Sequence, residues 1–133
     1  MEEKKAAYEK LKFYQDICEI RRLIYRITSR YGKPYMRLAS QMRDAARSAK
    51  QNIREGYRKG SAGEFAHSIR IGQGSLEELK GDIEDCFEDE IITKLEFDKI
   101  NKLICSADYL SNRYLISLNK MKRNKTWKIP FSK

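Results

Sequence analysis

The chain has 133 residues, 41% of them apolar and 35% charged, and carries a net charge of +9. That length fits one domain able to bury roughly two-thirds of its unfolded surface without disulfides or metal, and the regular spacing of the apolar residues excludes a disordered chain. No apolar run approaches the ~20 residues of a membrane span, and the opening MEEKKAAYEK lacks the apolar region of a signal peptide, so a cytoplasmic location is the default expectation.

The first predicted helix covers about residues 4–31. Phe13, Ile17, Ile20, Ile24, Ile27 and Tyr31 fall at alternating steps of four and three, on one face, with Arg22, Arg26 and Arg30 roughly opposite. Gly32, Lys33 and Pro34 end it, glycine as a carboxyl cap and proline as a residue unable to continue. The second helix, about residues 35–59, carries Leu38, Met42, Ala45, Ala49 and Ile53 on a side whose alanines admit a partner closely, and Gly60 stops it.

The third, about residues 62–89, opens with Ser61 and Glu64 as a capping box and continues through Phe65, Ile69, Gly72, Leu76, Leu79, Ile83 and Cys86. Gly72, Gly74 and Gly81 each cost a helix about 1 kcal/mol relative to alanine, and tight helix–helix contact is the expected reason for them. A nucleotide-binding glycine loop would need a preceding strand, and none is visible. Glu84, Asp85, Glu88, Asp89 and Glu90 oppose the helix dipole, so fraying or a basic neighbour is expected there. Thr93 and Glu96 form a second capping box and start the fourth helix, about residues 94–123. Its apolar positions are Phe97, Ile100, Leu103, Ala107, Leu110, Tyr114, Leu118 and Met121, and Lys120, Lys122 and Arg123 close it. Four amphipathic helices with short connections predict an all-α, antiparallel up-down-up-down four-helix bundle over residues 1–123, followed by a basic tail, residues 124–133.

Catalytic and metal chemistry find little to work with. Cys18, Cys86 and Cys105 are odd in number and widely spaced, and His67 is the only histidine. No zinc site is expected, and the thiols read as reduced and mostly buried. A diiron bundle would need repeated Glu-x-x-His pairs, and Glu64–His67 has no second histidine to join it. With no recognisable nucleophile–base pair, the expectation is a non-enzyme without a cofactor.

Charge is unevenly distributed. Residues 1–60 carry about +9, residues 61–108 about −7, and residues 109–133 about +7. Arg43, Arg47, Lys50, Arg54 and Arg58 fall within about 80° of one another at 100° per residue, a stripe directed away from the alanine face. Asp44 and Glu55 lie off the stripe, so like charges repel along it. A phosphate backbone would relieve that repulsion, with Arg22, Arg26 and Arg30 assisting. The acidic zone of a neighbouring subunit, or plain solvation, are the other two readings. In the tail, lysines flank Trp127, whose indole offers either a stacking surface for a base or a plug for a protein surface.

Several blocks occur in order: Ser40-Gln41-Met42-Arg43, Ala45-Ala46, Asn52-Ile53-x-Glu55-Gly56, Ser61, Glu64-Phe65 and Gly74-Ser75-Leu76-x-Glu78-Leu79. With them the chain resembles the four-helix-bundle family encoded in intervening sequences of bacterial 23S ribosomal RNA genes. The resemblance implies a homopentameric ring whose basic surface binds RNA or DNA, with no catalytic activity. A related group, the accessory variability proteins of diversity-generating retroelements, implies a second reading: an adaptor that binds a reverse transcriptase. The chain departs from the family pattern in two places. Many members carry Ser-Ile-Pro-Ala where Ser48-Ala49-Lys50-Gln51 stands, and alanine is common at the position of Arg54. Both departures make the second helix more basic, and loss of the proline should leave it straighter. Asn52 and Glu55 are expected to form hydrogen bonds between helices.

Overall fold

A computed structural model describes residues 6–126, and no strand occurs among them. Four helices follow the apolar periodicity: α1 Lys12–Thr28, α2 Met36–Arg58, α3 Ala62–Glu88 and α4 Lys94–Arg123. The expectations placed on Trp127 lie outside the described residues.

The first helix is shorter than its spacing predicts. Ala7–Lys10 form a 3-10 turn, and Leu11 is extended before α1 begins. Continued at 100° per residue, a helix would carry Tyr8 about 160° from Ile24, on the solvent side. The break turns Tyr8 inward instead, with its ring centroid 5.0 Å from Tyr14 and 4.9 Å from Tyr57. The other end stops at Thr28, and Gly32 is extended (φ −80°, ψ 178°) rather than a carboxyl cap. The hydroxyls of Thr28 and Ser29 donate instead to the Ile24 and Tyr25 carbonyls, each at 2.6 Å.

Gly60 does end α2 in the left-handed region, at φ 84°. The acidic end of α3 neither frays nor finds a basic neighbour among the described residues. It is closed by the Glu90 amide donating to the Phe87 carbonyl and the Ile91 amide to the Cys86 carbonyl, a Schellman pair with Glu90 at φ 62°. Thr93 and Glu96 complete a reciprocal capping box, whereas Ser61 accepts from the Glu64 amide without the return bond to its own amide.

Packing follows the predicted faces in α1, α2 and α3, where Ile20, Ile24, Ala49, Phe65, Leu79 and Cys86 are fully enclosed. In α4 the buried face runs through Ile100, Ile104, Ala107, Ser111, Leu115 and Leu118. It is rotated from the predicted one, so Leu103, Leu110 and Tyr114 are only half-buried. Of the thiols, Cys86 is buried, Cys18 half-buried and Cys105 exposed, so burial holds fully for one of the three.

Each helix packs on two others, α1 against α2 and α4, and α3 against α2 and α4. Near the start of α1, Asp16 is buried between Lys12 and Ser106, whose hydroxyl donates at 2.7 Å, and Phe13 meets Tyr114. Near its end, Arg30 pairs with Glu96. The α2–α3 interface is the most extensive. There Gln41 donates to Asp82, Ser75 donates to Ser48 at 3.1 Å, and Gly56 abuts Ser68. Between α3 and α4, Gln73 donates to Ser111 and Asn112, and Phe87 stacks on Phe97 at 4.6 Å.

The glycines separate into two kinds. A Cβ at Gly56 would lie 2.3 Å from that of Ser68, and one at Gly72 3.4 Å from the Ala49 carbonyl oxygen. At Gly74 and Gly81 a Cβ would meet nothing within 4 Å, so the expected helix–helix contact does not exist there.

Candidate nucleic-acid interface

The apolar side of α2 is rich in alanine, so the helix sits deep against α1 and α3 and holds its long cations at the surface. Arg47, Arg54 and Arg58 are exposed, and none has a carboxylate at ion-pair distance among the described residues. Burial raises the Tyr8 hydroxyl pKa, and the nearby charges of Arg54 and Arg58 partly offset that rise.

The other two stripe members turn toward α1. Lys50 is half-buried and lines a cleft of about 300 Å³ with Glu9, Tyr14, Gln15, Cys18 and Arg22. Arg43 is committed to the end of α1. Its Nε donates to Thr28 Oγ1 at 2.7 Å, and its Nη2 to Ser29 Oγ at 3.1 Å and to the Tyr25 carbonyl at 3.4 Å. A cation at a helix carboxyl terminus complements the dipole. The continuous five-residue stripe is therefore three free arginines, one cleft lysine and one structural arginine.

The arginines in and just after α1 also divide. Arg22 pairs with Glu19 at 2.6 Å and Arg30 with Glu96 at 2.9 Å, while Arg26 has no ion pair among the described residues. The hydrogen bond from Arg22 holds the Glu19 carboxyl below its usual range, and that from Arg30 does the same for Glu96. Arg30 leans onto α4 and leaves the α2 side altogether.

The expected helix-to-helix bonds of Asn52 and Glu55 take a different form. Asn52 donates to the carbonyl and hydroxyl of Ser48 on its own helix, and reaches α3 only through the Ser48–Ser75 bond. Glu55 is exposed, and its carboxylate makes no hydrogen bond among the described residues. Sequence reasoning passed over Tyr25, an aromatic about 100° off the apolar centre of α1, which lies under the Arg43 guanidinium at 4.5 Å. It also passed over Arg21, one turn before Tyr25. Their shared signal was side: both fall between the apolar stripe and the polar ridge.

A groove of about 540 Å³ between α2 and α3 brings together Arg37, Gln41, Asp44, Ser48, Ser75 and Glu78. Among the described residues no group of three or more His, Cys, Asp or Glu side chains could hold a metal ion, and no helix is long and apolar enough to cross a membrane.

Fold and surface together define a four-helix, all-α protein with an uncompensated cationic face on α2. The model of the 23S rRNA-intervening sequence protein family matches residues 9–112, well over half the chain, and the chain belongs to that family. No curated protein matches it. Residues of the blocks that carried the resemblance sit at the α2–α3 interface, Gln41 against Asp82, Gly56 against Ser68 and Ser75 against Ser48. These contacts are helix packing, and the exposed arginines Arg47, Arg54 and Arg58 are not among the residues the blocks specify.

Proposed function

We propose that this protein is a non-enzymatic nucleic-acid-binding oligomer that grips the phosphate backbone of RNA or DNA through the α1–α2 face. The observation that carries this reading is the row of Arg47, Arg54 and Arg58, exposed and without carboxylate partners among the described residues. Like charges held in a row raise the energy of the free protein, and a polyanion lowers it. Contacts of this kind position a backbone and carry little sequence information. Lys50 and Arg26 add charge, and Arg22 contributes from its ion pair.

The helices are proposed to run up, down, up and down. In support, Phe13 near the start of α1 contacts Tyr114 in the later part of α4, while Arg30 just past the end of α1 contacts Glu96 near the start of α4. Likewise Gln41 on α2 meets Asp82 on α3, and Gly56 meets Ser68. The homopentamer implied by the resemblance is proposed on a second ground as well. Leu95 and Ile116 are 80% and 65% exposed, and the acidic zone of one copy complements the basic zone of another. The same exposed apolar residues favour the adaptor reading, in which the partner is a reverse transcriptase.

The test is binding of labelled RNA and DNA at low salt by the wild type and by Arg47→Gln/Arg54→Gln/Arg58→Gln, with the assembly mass followed by light scattering. Loss of binding at unchanged mass is expected. A change of mass would assign the row to a subunit contact. Absence of wild-type binding would sink the nucleic-acid reading and turn attention to capture by a reverse transcriptase.

A further inference from the structure

We propose that Tyr25 is a base-stacking platform, and that this face therefore selects unpaired nucleotides over duplex. The inference rests on the nucleic-acid reading of the α1–α2 face and deepens it. Tyr25 is 56% exposed and lies beside the cationic row of α2, against Arg43. Neither burial nor hydrogen bonding accounts for a tyrosine there, since its hydroxyl has no hydrogen-bond partner among the described residues.

What fixes the ring is Arg43. The guanidinium carbon sits 4.5 Å from the ring centroid, and three hydrogen bonds to Thr28, Ser29 and the Tyr25 carbonyl hold the group in place. One side of the ring is therefore backed by a locked planar cation, and more than half of the side chain remains open to solvent. A ring already ordered loses little conformational freedom when a base lies on it. Arg43, with its Nε and Nη2 engaged on α1, serves this surface as the backing of the ring and leaves phosphate contact to its neighbours.

Those neighbours are well placed. Arg47 lies one turn along α2 from Arg43, and Arg21 one turn back along α1 from Tyr25, so each helix of the pair carries a cation one turn from the platform. An aromatic surface flanked by backbone-neutralising charge is the arrangement that binds single strands with little sequence preference. Duplex bases are stacked on one another and offer the ring no face. Tyr109 supplies an internal control. It is 60% exposed and has Arg113 at 5.8 Å, but it lies on α4, away from the cationic face.

The experiment uses a fluorescein-labelled 20-nucleotide RNA of mixed sequence and the same sequence as a blunt duplex, at one low salt concentration. Proteins compared are the wild type, Tyr25→Leu, Tyr25→Phe, Tyr109→Leu and Arg47→Gln/Arg54→Gln. Leucine keeps apolar bulk beneath Arg43, and circular dichroism checks that helix content is retained. Tyr25→Leu is expected to weaken single-strand binding roughly five- to hundredfold, the range of one base–aromatic stack, with less than a twofold change for duplex. Tyr25→Phe and Tyr109→Leu should bind as wild type. Equal weakening of both nucleic acids by Tyr25→Leu, or no weakening, overturns the platform. If the arginine variant meanwhile loses both, the phosphate-binding reading still stands. Wild type that binds neither overturns both.

Discussion

Gly56 abuts Ser68 across the α2–α3 interface, and replacing it with alanine sets two effects of opposite sign against each other. In an open helix the change would stabilise by about 0.5–1 kcal/mol, because alanine loses less backbone entropy on folding. Here the new Cβ would lie 2.3 Å from Ser68 Cβ and 2.4 Å from Ser68 Oγ, where ordinary carbon contact is about 3.5–4 Å. Ser68 is buried on the facing helix, so the overlap is relieved mainly by parting the two helices by about 1 Å. That separation would loosen the adjoining Gly72–Ala49 contact as well. Overpacking costs about 1–3 kcal/mol, occasionally more, and this overlap belongs at the upper end, leaving a net loss of about 2 kcal/mol. Urea unfolding followed by circular dichroism at fixed protein concentration measures it. Gly74→Ala and Gly81→Ala, which meet open space, should instead gain about 0.5–1 kcal/mol each. Adding Ser68→Gly to Gly56→Ala should return stability, with a coupling of at least about 1 kcal/mol in the double-mutant cycle. A Gly56→Ala protein as stable as the wild type, or an absence of coupling to residue 68, would refute the close approach.

Three further outcomes follow from local geometry. Glu90 caps α3 in a left-handed conformation (φ 62°) that glycine adopts freely, so Glu90→Gly should raise stability by about 1 kcal/mol, seen as a thermal midpoint a few degrees higher. Arg43→Gln should cost about 1–2 kcal/mol, because it removes charged hydrogen bonds from the end of α1; equal stability in urea would contradict its structural role. Glu96→Gln addresses a carboxyl held below its usual range, chiefly by the Arg30 hydrogen bond. A depressed folded-state pKa adds stability above the unfolded value near 4.3, and that stability is lost as pH falls through the folded value. The variant should therefore trail the wild type by under about 1 kcal/mol at pH 7 and match it at low pH, since the pair is partly exposed. A gap that widens on acidification would reverse the assignment.

Most of the fold was legible because apolar spacing of four and three encodes a buried helical face directly, and α2, α3 and α4 start and stop within about a residue of their predicted bounds. The failures were those of local signals outweighed by packing. Tyr8 lies on the helical continuation of α1 by spacing, yet the aromatic contacts with Tyr14 and Tyr57 accompany a break at Leu11. Ser111 hid the true phase of α4, because a serine in the middle of a buried face reads as polar until its bond from Gln73 is seen. The glycines of α3 look alike in sequence and differ only in what faces them.

The candidate site was legible as charge and illegible as geometry. Periodicity placed five cations within one sector of α2, but their availability depends on what lies opposite. For Arg43 it is the end of α1, for Lys50 a cleft, and for Arg47, Arg54 and Arg58 open solvent. Arg30 was likewise drawn to an acid, Glu96 on α4, that the phase of its own helix does not bring near, whereas Glu19 pairs with Arg22 at the ordinary i,i+3 spacing. A variant that removed Arg43 with the free arginines would confound binding with stability.

The most direct measurement is the salt dependence of binding to a labelled single-stranded RNA, as the slope of log K against log salt, for the wild type and for Arg47→Gln/Arg54→Gln/Arg58→Gln. Each phosphate contact contributes about 0.7 to that slope on single strands, so losing three should make it shallower by about 2 and weaken binding, at an unchanged light-scattering mass. An unchanged slope with all three arginines gone, or wild-type binding indifferent to salt, would contradict the account.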